Sequence, residues 1–179
     1  MQIRKIKRIK QKVTAKQPRS KNGIVCGRQN PSSLRCEFYE LESGELATIF
    51  TAGHMHEGHD DIMHGGMSAA VLDEVMGRCN SEYDADGKRY NPYVTGEMTV
   101  RYCLPIAVGK KMYAFGRIDK SEGRKNFSSG EITDEEGIVY ASATGVYIRT
   151  DIIDKPEPFD TEAEANSSVG ISSDDPTEL

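Results

Sequence analysis

The sequence predicts an α+β fold, a curved antiparallel sheet wrapped around one long buried helix. Two observations carry this. Met67, Ala69, Ala70, Val71, Leu72, Val75, Met76 and Cys79 form a run that is apolar around almost the whole circumference of a helix, and such a helix belongs in an interior. Around it lie six segments with strand patterns, several joined by short turns. Strands joined so closely run antiparallel, and a sheet bent over the helix is an economical way to bury it.

Length and charge set the frame. With 179 residues and 37% hydrophobic content, the chain suits one domain with polar tails. The formal charge of -5 conceals a split: residues 1–36 carry no acid and residues 156–179 carry no base. The expected division is a basic N-terminal extension over 1–29, a domain over 30–150, and an acidic C-terminal tail over 151–179. No overall basic face for nucleic acid is evident. No apolar run approaches the 18 residues of a membrane span. Cys26, Cys36, Cys79 and Cys103 form no CxxC pair and read as free thiols of a reducing compartment, the cytoplasm. The N-terminus lacks the apolar core of a secretory signal.

In chain order, Met1 to Asn22 is rich in Lys and Arg. Ile3, Ile6, Ile9 and Val13 recur at near-helical spacing, which fits either a short amphipathic basic helix or a solvated extension. Asn30-Pro31 marks a turn. Leu34 to Leu41 reads as a strand, Glu42-Ser43-Gly44 as a turn and Glu45 to Thr51 as the second arm of a hairpin. The helix is expected from about Gly65 to about Tyr83, stopped by the turn residues Asp84-Ala85-Asp86-Gly87. Strands follow over Tyr93–Tyr102, Lys110–Ser121, Lys125–Thr133 and Val139–Arg149, with breaks at Pro105, Gly109, Gly123 and Asp134–Gly137. Ala141, Ala143 and Gly145 share one parity, and their small size predicts that the helix lies over them. Lys155 to Leu179, built of Pro, Glu, Asp and Ser, cannot bury enough to fold and reads as disordered.

The chemistry concentrates at the helix. Gly65 and Gly66 open it and offer backbone N–H groups at the positive end of the helix dipole. Asp73 and Glu74 interrupt its apolar run, and a carboxylate there needs a reason. Asp73 lies seven residues after Gly66, two turns on and on the same face. Glu74, rotated about 100° from it, is free to pair with a basic group or a second subunit. An electrophile-polarising helix end and a carboxylate two turns further in are parts of a hydrolytic site. The residues alone leave Asp73 open between catalysis and a structural carboxylate. His54, His56, His59 and His64 fall close together, but no helical i, i+4 pair and no nearby Cys joins them. No metal and no cofactor is expected.

His64-Gly65-Gly66, Ala70, Leu72-Asp73-Glu74 and Gly77 resemble the hotdog-fold acyl-CoA thioesterases, in their phenylacetate-pathway and THEM-type branch. Val94-Thr95-Gly96, Val100 to Ile106, Asn30-Pro31 and Glu57-Gly58 extend the resemblance over residues 30–149. It implies that the N–H of Gly66 or Gly65 binds the thioester oxyanion and that His64 orients or polarises near that carbonyl. It further implies that Asp73 activates water or attacks directly, and that Thr95 positions the water or the acid. The helix end of one subunit then faces the acid of its mate, so a homodimer is the smallest active unit and a homotetramer is common. Lys120, Arg124 and Lys125, beside the Gly123 turn, are candidates for the phosphates of coenzyme A. The expected activity is hydrolysis of an acyl-CoA to free acid and CoA. Two rivals are a non-catalytic acyl-CoA-binding module and a hydratase or dehydratase of the same fold.

Overall fold

The chain, described here by a computed structural model that covers residues 3–83, 85, 89–150 and 170–179, is organised by one helix. Its elements are β1 (Val13–Gln17), β2 (Glu37–Leu41), β3 (Leu46–Thr51), β4 (Glu57–His59), β5 (Ile62–Met63), α1 (Gly65–Cys79), β6 (Glu82–Tyr83) and β7 (Arg89–Tyr90). Four long strands complete it, β8 (Tyr93–Tyr102), β9 (Lys111–Glu122), β10 (Lys125–Thr133) and β11 (Val139–Arg149). Seven strands form one antiparallel sheet in the spatial order β1-β2-β3-β9-β10-β11-β8. The pairs β4–β5 and β6–β7 are separate ribbons.

The sheet packs on α1 through Val71, Leu72, Val75 and Met76, all fully buried. These side chains meet Phe38, Phe50, Met112, Ile132, Ala141 and Tyr147 in the main core. Only one side of the helix is sealed. Ala69, Ala70, Asp73 and Gly77, on the other side, are half-buried, so the all-round apolar pattern is only partly satisfied within one chain.

The helix backbone comes closest to the sheet at β9 and β10. A Cβ on Gly116 would lie 2.8 Å from the Val75 carbonyl oxygen, and one on Gly130 3.1 Å from the Met76 side chain. The small residues of β11 contribute less: a Cβ on Gly145 would stand 3.7 Å from Met76. The expected close approach over Ala141, Ala143 and Gly145 therefore shifts to two central strands, because β9 and β10 lie nearer the middle of the sheet than β11.

The helix ends at Cys79, four residues earlier than expected. Asn80 is buried and donates from Nδ2 to the Met76 carbonyl at 2.8 Å and to Ser128 Oγ at 3.3 Å. Its Oδ1 accepts from Asn126 at 2.8 Å. A side chain that takes a last-turn carbonyl and ties it to β10 satisfies the helix terminus and stops it. Most of the Asp84–Gly87 turn lies outside the described residues. The strands β8, β10 and β11 have the expected limits, and β2 begins at Glu37 rather than Leu34.

Both tails depart from expectation. The basic N-terminal segment forms no helix over its described residues. A short isolated helix is marginal in water, whereas the edge of β2 offers unpaired backbone groups, and β1 pairs with it antiparallel. Arg8 lies over the Phe115 ring, 3.2 Å from its centroid, and bridges to Glu131 and Glu45. At the other terminus, residues 151–169 lie outside the described residues, but 170–179 dock. Leu179 and Gln11 exchange backbone hydrogen bonds of 2.7 and 2.9 Å, and Val13 donates to the Thr177 carbonyl at 2.9 Å. Asp175 is buried and accepts from Lys16 at 2.6 Å and from the Tyr39 hydroxyl at 2.8 Å. The acidic tail folds here because a basic strand neutralises it.

Gly116→Ala should lower unfolding free energy by about 1–3 kcal/mol, the usual penalty for forcing extra volume into a packed core; an unchanged denaturant midpoint would mean the helix does not seat this closely. Burial opposes ionisation of Asp175, but Lys16, the Ser172 N–H and Tyr39 outweigh it and hold the carboxyl below its ordinary range. A depressed folded value contributes stability above the unfolded value of about 3.9, lost as pH falls below it. Amide protection factors at Val13 and Leu179 should therefore fall between pH 6 and about pH 3 more than those in α1.

Candidate active site

At the start of α1, His64 is the N-cap. Its Nδ1 accepts from the Gly66 N–H at 2.8 Å. An imidazole that accepts at Nδ1 carries its proton on Nε2 when neutral, so His64 presents an N–H donor away from the helix. Two glycines make room for the ring. A Cβ on Gly66 would lie 2.8 Å from Nδ1, and one on Gly58 2.9 Å from Cδ2. The Gly66 N–H is thus engaged with His64, while the Gly65 N–H has no partner among the described residues. Gly65 lies beneath the Tyr102 ring, 3.3 Å from where its Cβ would stand.

Further along α1, Asp73 is held by two hydroxyl groups. Thr95 of β8 donates to Oδ1 at 2.8 Å. Tyr147 of β11 donates to the same oxygen at 3.1 Å and lies 3.2 Å from the Asp73 carbonyl. Oδ2 has no partner among the described residues. Burial first, and the Asp73 charge second, push the Tyr147 hydroxyl well above its ordinary value of about 10, so it remains a proton donor. The sequence reading placed Thr95 and missed Tyr147. The available signal was its parity with Ala141, Ala143 and Gly145, which turns it toward the helix. Its ring fits because Gly77 and Gly145 flank it, with Cβ positions 3.4 and 3.1 Å from the ring.

Asp73, Glu74, Gly77, Tyr93, Thr95 and Tyr147 line a cleft of about 510 Å³. Glu74 pairs with Arg78 at 2.8 Å, the basic-group alternative among its expected roles. Arg78 also donates to the Pro18 carbonyl at 2.9 Å and lies 4.4 Å from the Phe38 ring centroid. His64, Gly65 and Gly66 do not line this cleft. Gly66 and Asp73 are separated by about 10 Å along the helix axis at 1.5 Å per residue. One chain therefore holds both halves of the predicted machinery but does not bring them to one point.

Lys120, Arg124 and Lys125 line neither this cleft nor a second one described below. Lys120 pairs with Glu122, and Arg124 donates to the Arg149 carbonyl at 2.9 Å. The histidines are divided among local tasks. His56 accepts from the Gly53 N–H and bonds the Ser32 carbonyl, and His54 pairs with Glu57. His54, Glu57 and the exposed Asp61 bring ligand atoms within 4.8 Å of one another.

A family model of the thioesterase superfamily matches residues 61–141. The acyl-coenzyme A thioesterase THEM4 of Xenopus laevis is 29% identical over 115 residues, which are 64% of this chain and 49% of that protein. A crystal structure of a thioesterase superfamily protein matches with TM-score 0.62 at 26% identity, over 70% of this chain and 59% of that one. A Bacillus halodurans protein crystallised with CoA matches with TM-score 0.56 at 24% identity, over 66% and 76% of the two chains. The chain spans about half the length of the curated relatives it matches.

Gly66→Ala and His64→Ala should each remove the cap and lower stability by about 1 kcal/mol. Since both break one interaction, the double variant should lose little more than either single one; additive losses in denaturant melts would contradict the cap.

Proposed function

From the thioesterase-superfamily domain of the hotdog fold that residues 61–141 carry, with THEM-type relatives, we propose that this chain hydrolyses an acyl-CoA thioester to free acid and CoA. The observation that carries this is Asp73. It is a carboxylate in an open cleft, fixed at one oxygen by Thr95 and Tyr147 and open at the other. A carboxylate so held is oriented to take a proton from water or to attack a carbonyl.

The carbonyl is polarised at the helix mouth. The Gly65 N–H and the His64 Nε2–H are the donors left open beside it, and the helix dipole adds partial positive charge. Gly66 acts by holding His64. Because the mouth and the acid of one α1 are about two turns apart, the complete site pairs the mouth of one subunit with Asp73 of another. The support for a homodimer is twofold. β8 is an edge strand of ten residues with exposed Val94 and Tyr102, an edge open to a second copy. The side of α1 that carries Asp73 is also the side left half-covered. Homotetramers would repeat this dimer. A reducing compartment, the cytoplasm, suits four free cysteines; burial pushes the Cys36 and Cys79 thiols up to about 12, which keeps them unreactive.

Thiol release from short, long and aromatic acyl-CoAs is the direct test. Asp73→Asn should keep the melting temperature and lower kcat by about 10²- to 10⁴-fold, the range of a lost acid–base group. Tyr147→Phe, which leaves the Thr95 bond, should have a smaller effect. Unchanged turnover in Asp73→Asn refutes the mechanism. Tight acyl-CoA binding with no thiol release by the parent protein would make the chain a binding module instead.

A further inference from the structure

We propose that the groove between the N-terminal segment and the end of β8 is an anion site for the phosphate groups of the substrate's nucleotide portion. This rests on the acyl-CoA reading above. The groove has a volume of about 760 Å³ and is lined by Arg4, Lys5, Arg101, Tyr102, Cys103 and Ser142, with Ile3 at its rim.

The groove is built by the fold. β8 leaves β11 at Tyr102, where the Cys103 and Leu104 N–H groups both reach the Tyr140 carbonyl. The N-terminal segment takes over the vacated edge of β11. Val139 donates to the Arg4 carbonyl and Ile6 to the Gly137 carbonyl, each at 2.9 Å, and Lys5 opposes Ile138. Gly137 makes this docking possible. Its φ is +79°, and a Cβ there would stand 2.2 Å from the Ile6 carbonyl oxygen, so no side chain fits. Arg4 and Lys5 are thereby fixed beside Arg101.

Charge points to the ligand. Elsewhere in the basic segment four cations have acidic partners: Arg8 with Glu131, Lys16 with Asp175, Arg19 with Glu37 and Lys10 with Glu178. Among the described residues Arg4, Lys5 and Arg101 make no ion pair, and no acid lines their groove. Guanidinium groups match phosphate with two parallel hydrogen bonds. Position points to the same ligand. Tyr102 lines the groove and also lies against Gly65, so an anion held there is next to the helix mouth where the thioester carbonyl binds. In an acyl-CoA the phosphates and the thioester carbonyl are joined by the long, flexible pantetheine arm, which can run from this groove past Tyr102 to the helix mouth.

The test is the triple variant Arg4→Gln, Lys5→Gln, Arg101→Gln, which keeps the backbone bonds of the segment. Its KM for an acyl-CoA at low ionic strength should rise at least about tenfold, the weight of one charge-assisted hydrogen bond, with kcat retained. KM for the matching N-acetylcysteamine thioester, which has no phosphate, should not move. Equal KM values for acyl-CoA in parent and variant overturn the proposal. Calorimetry with 3′,5′-adenosine diphosphate separates this from the hydrolase reading, because it needs no turnover. Weaker binding by the variant supports the site even if the parent cleaves no thioester, and unchanged binding refutes it. Inorganic pyrophosphate bound as tightly as the adenosine diphosphate would refute its assignment to the nucleotide.

Discussion

The seating of α1 on the bare backbone of Gly116 and Gly130 sets the distances on which the rest of the molecule depends. With no side chain at these two positions the helix lies against the sheet, and Val71, Leu72, Val75 and Met76 are sealed from water. Only at that depth do hydroxyl groups from two further strands, Thr95 on β8 and Tyr147 on β11, reach Asp73. The same closeness ends the helix, since Asn80 is carried down to Ser128 and Asn126 of β10. A buried amide satisfied on both its oxygen and its nitrogen is stabilising, whereas an unsatisfied one is not, and so the core and the site share one mechanical constraint.

Glycine elsewhere serves a different purpose. Gly58 and Gly66 flank His64, and Gly77 and Gly145 flank Tyr147. Each pair clears a slot for one ring and so fixes where its polar atom points. The two rings then mark two half-sites, one at the helix mouth and one beside the acid, about two turns apart. In the proposed homodimer, the half-exposed side of α1 and the edge of β8 would be the surfaces that the second copy covers.

The opposite face of the sheet is held by charge. Val13, Tyr39, Leu41, Ala47 and Phe115 form a second small core there. Over it run a strand with no acid and a terminal segment with no base. Lys16 with Asp175 joins the two, and Arg8 with Glu131 ties the N-terminal segment to β10, each pair with a buried carboxylate. A buried carboxylate requires such a partner, which explains how segments too polar to fold by themselves become ordered against the sheet.

The sequence by itself determined the repeating features: the fold class, the start of the helix at Gly65 and the limits of β8, β10 and β11; it also singled out Asp73 and Thr95, which the fold joins by a hydrogen bond. Periodicity, turn residues and a compact motif are local, and local patterns survive in one dimension. Tertiary structure decided what depends on partners remote in sequence. It gave the N-terminal segment a strand where its isoleucine spacing suggested a helix, because the edge of β2 was available. It ordered residues 170–179, whose composition argued for disorder, because Lys16 lies opposite Asp175. It brought Tyr147 to Asp73 across 74 residues of chain and gave the Gly66 N–H to His64. Each outcome rests on desolvation and hydrogen bonding between groups that only the folded chain makes neighbours.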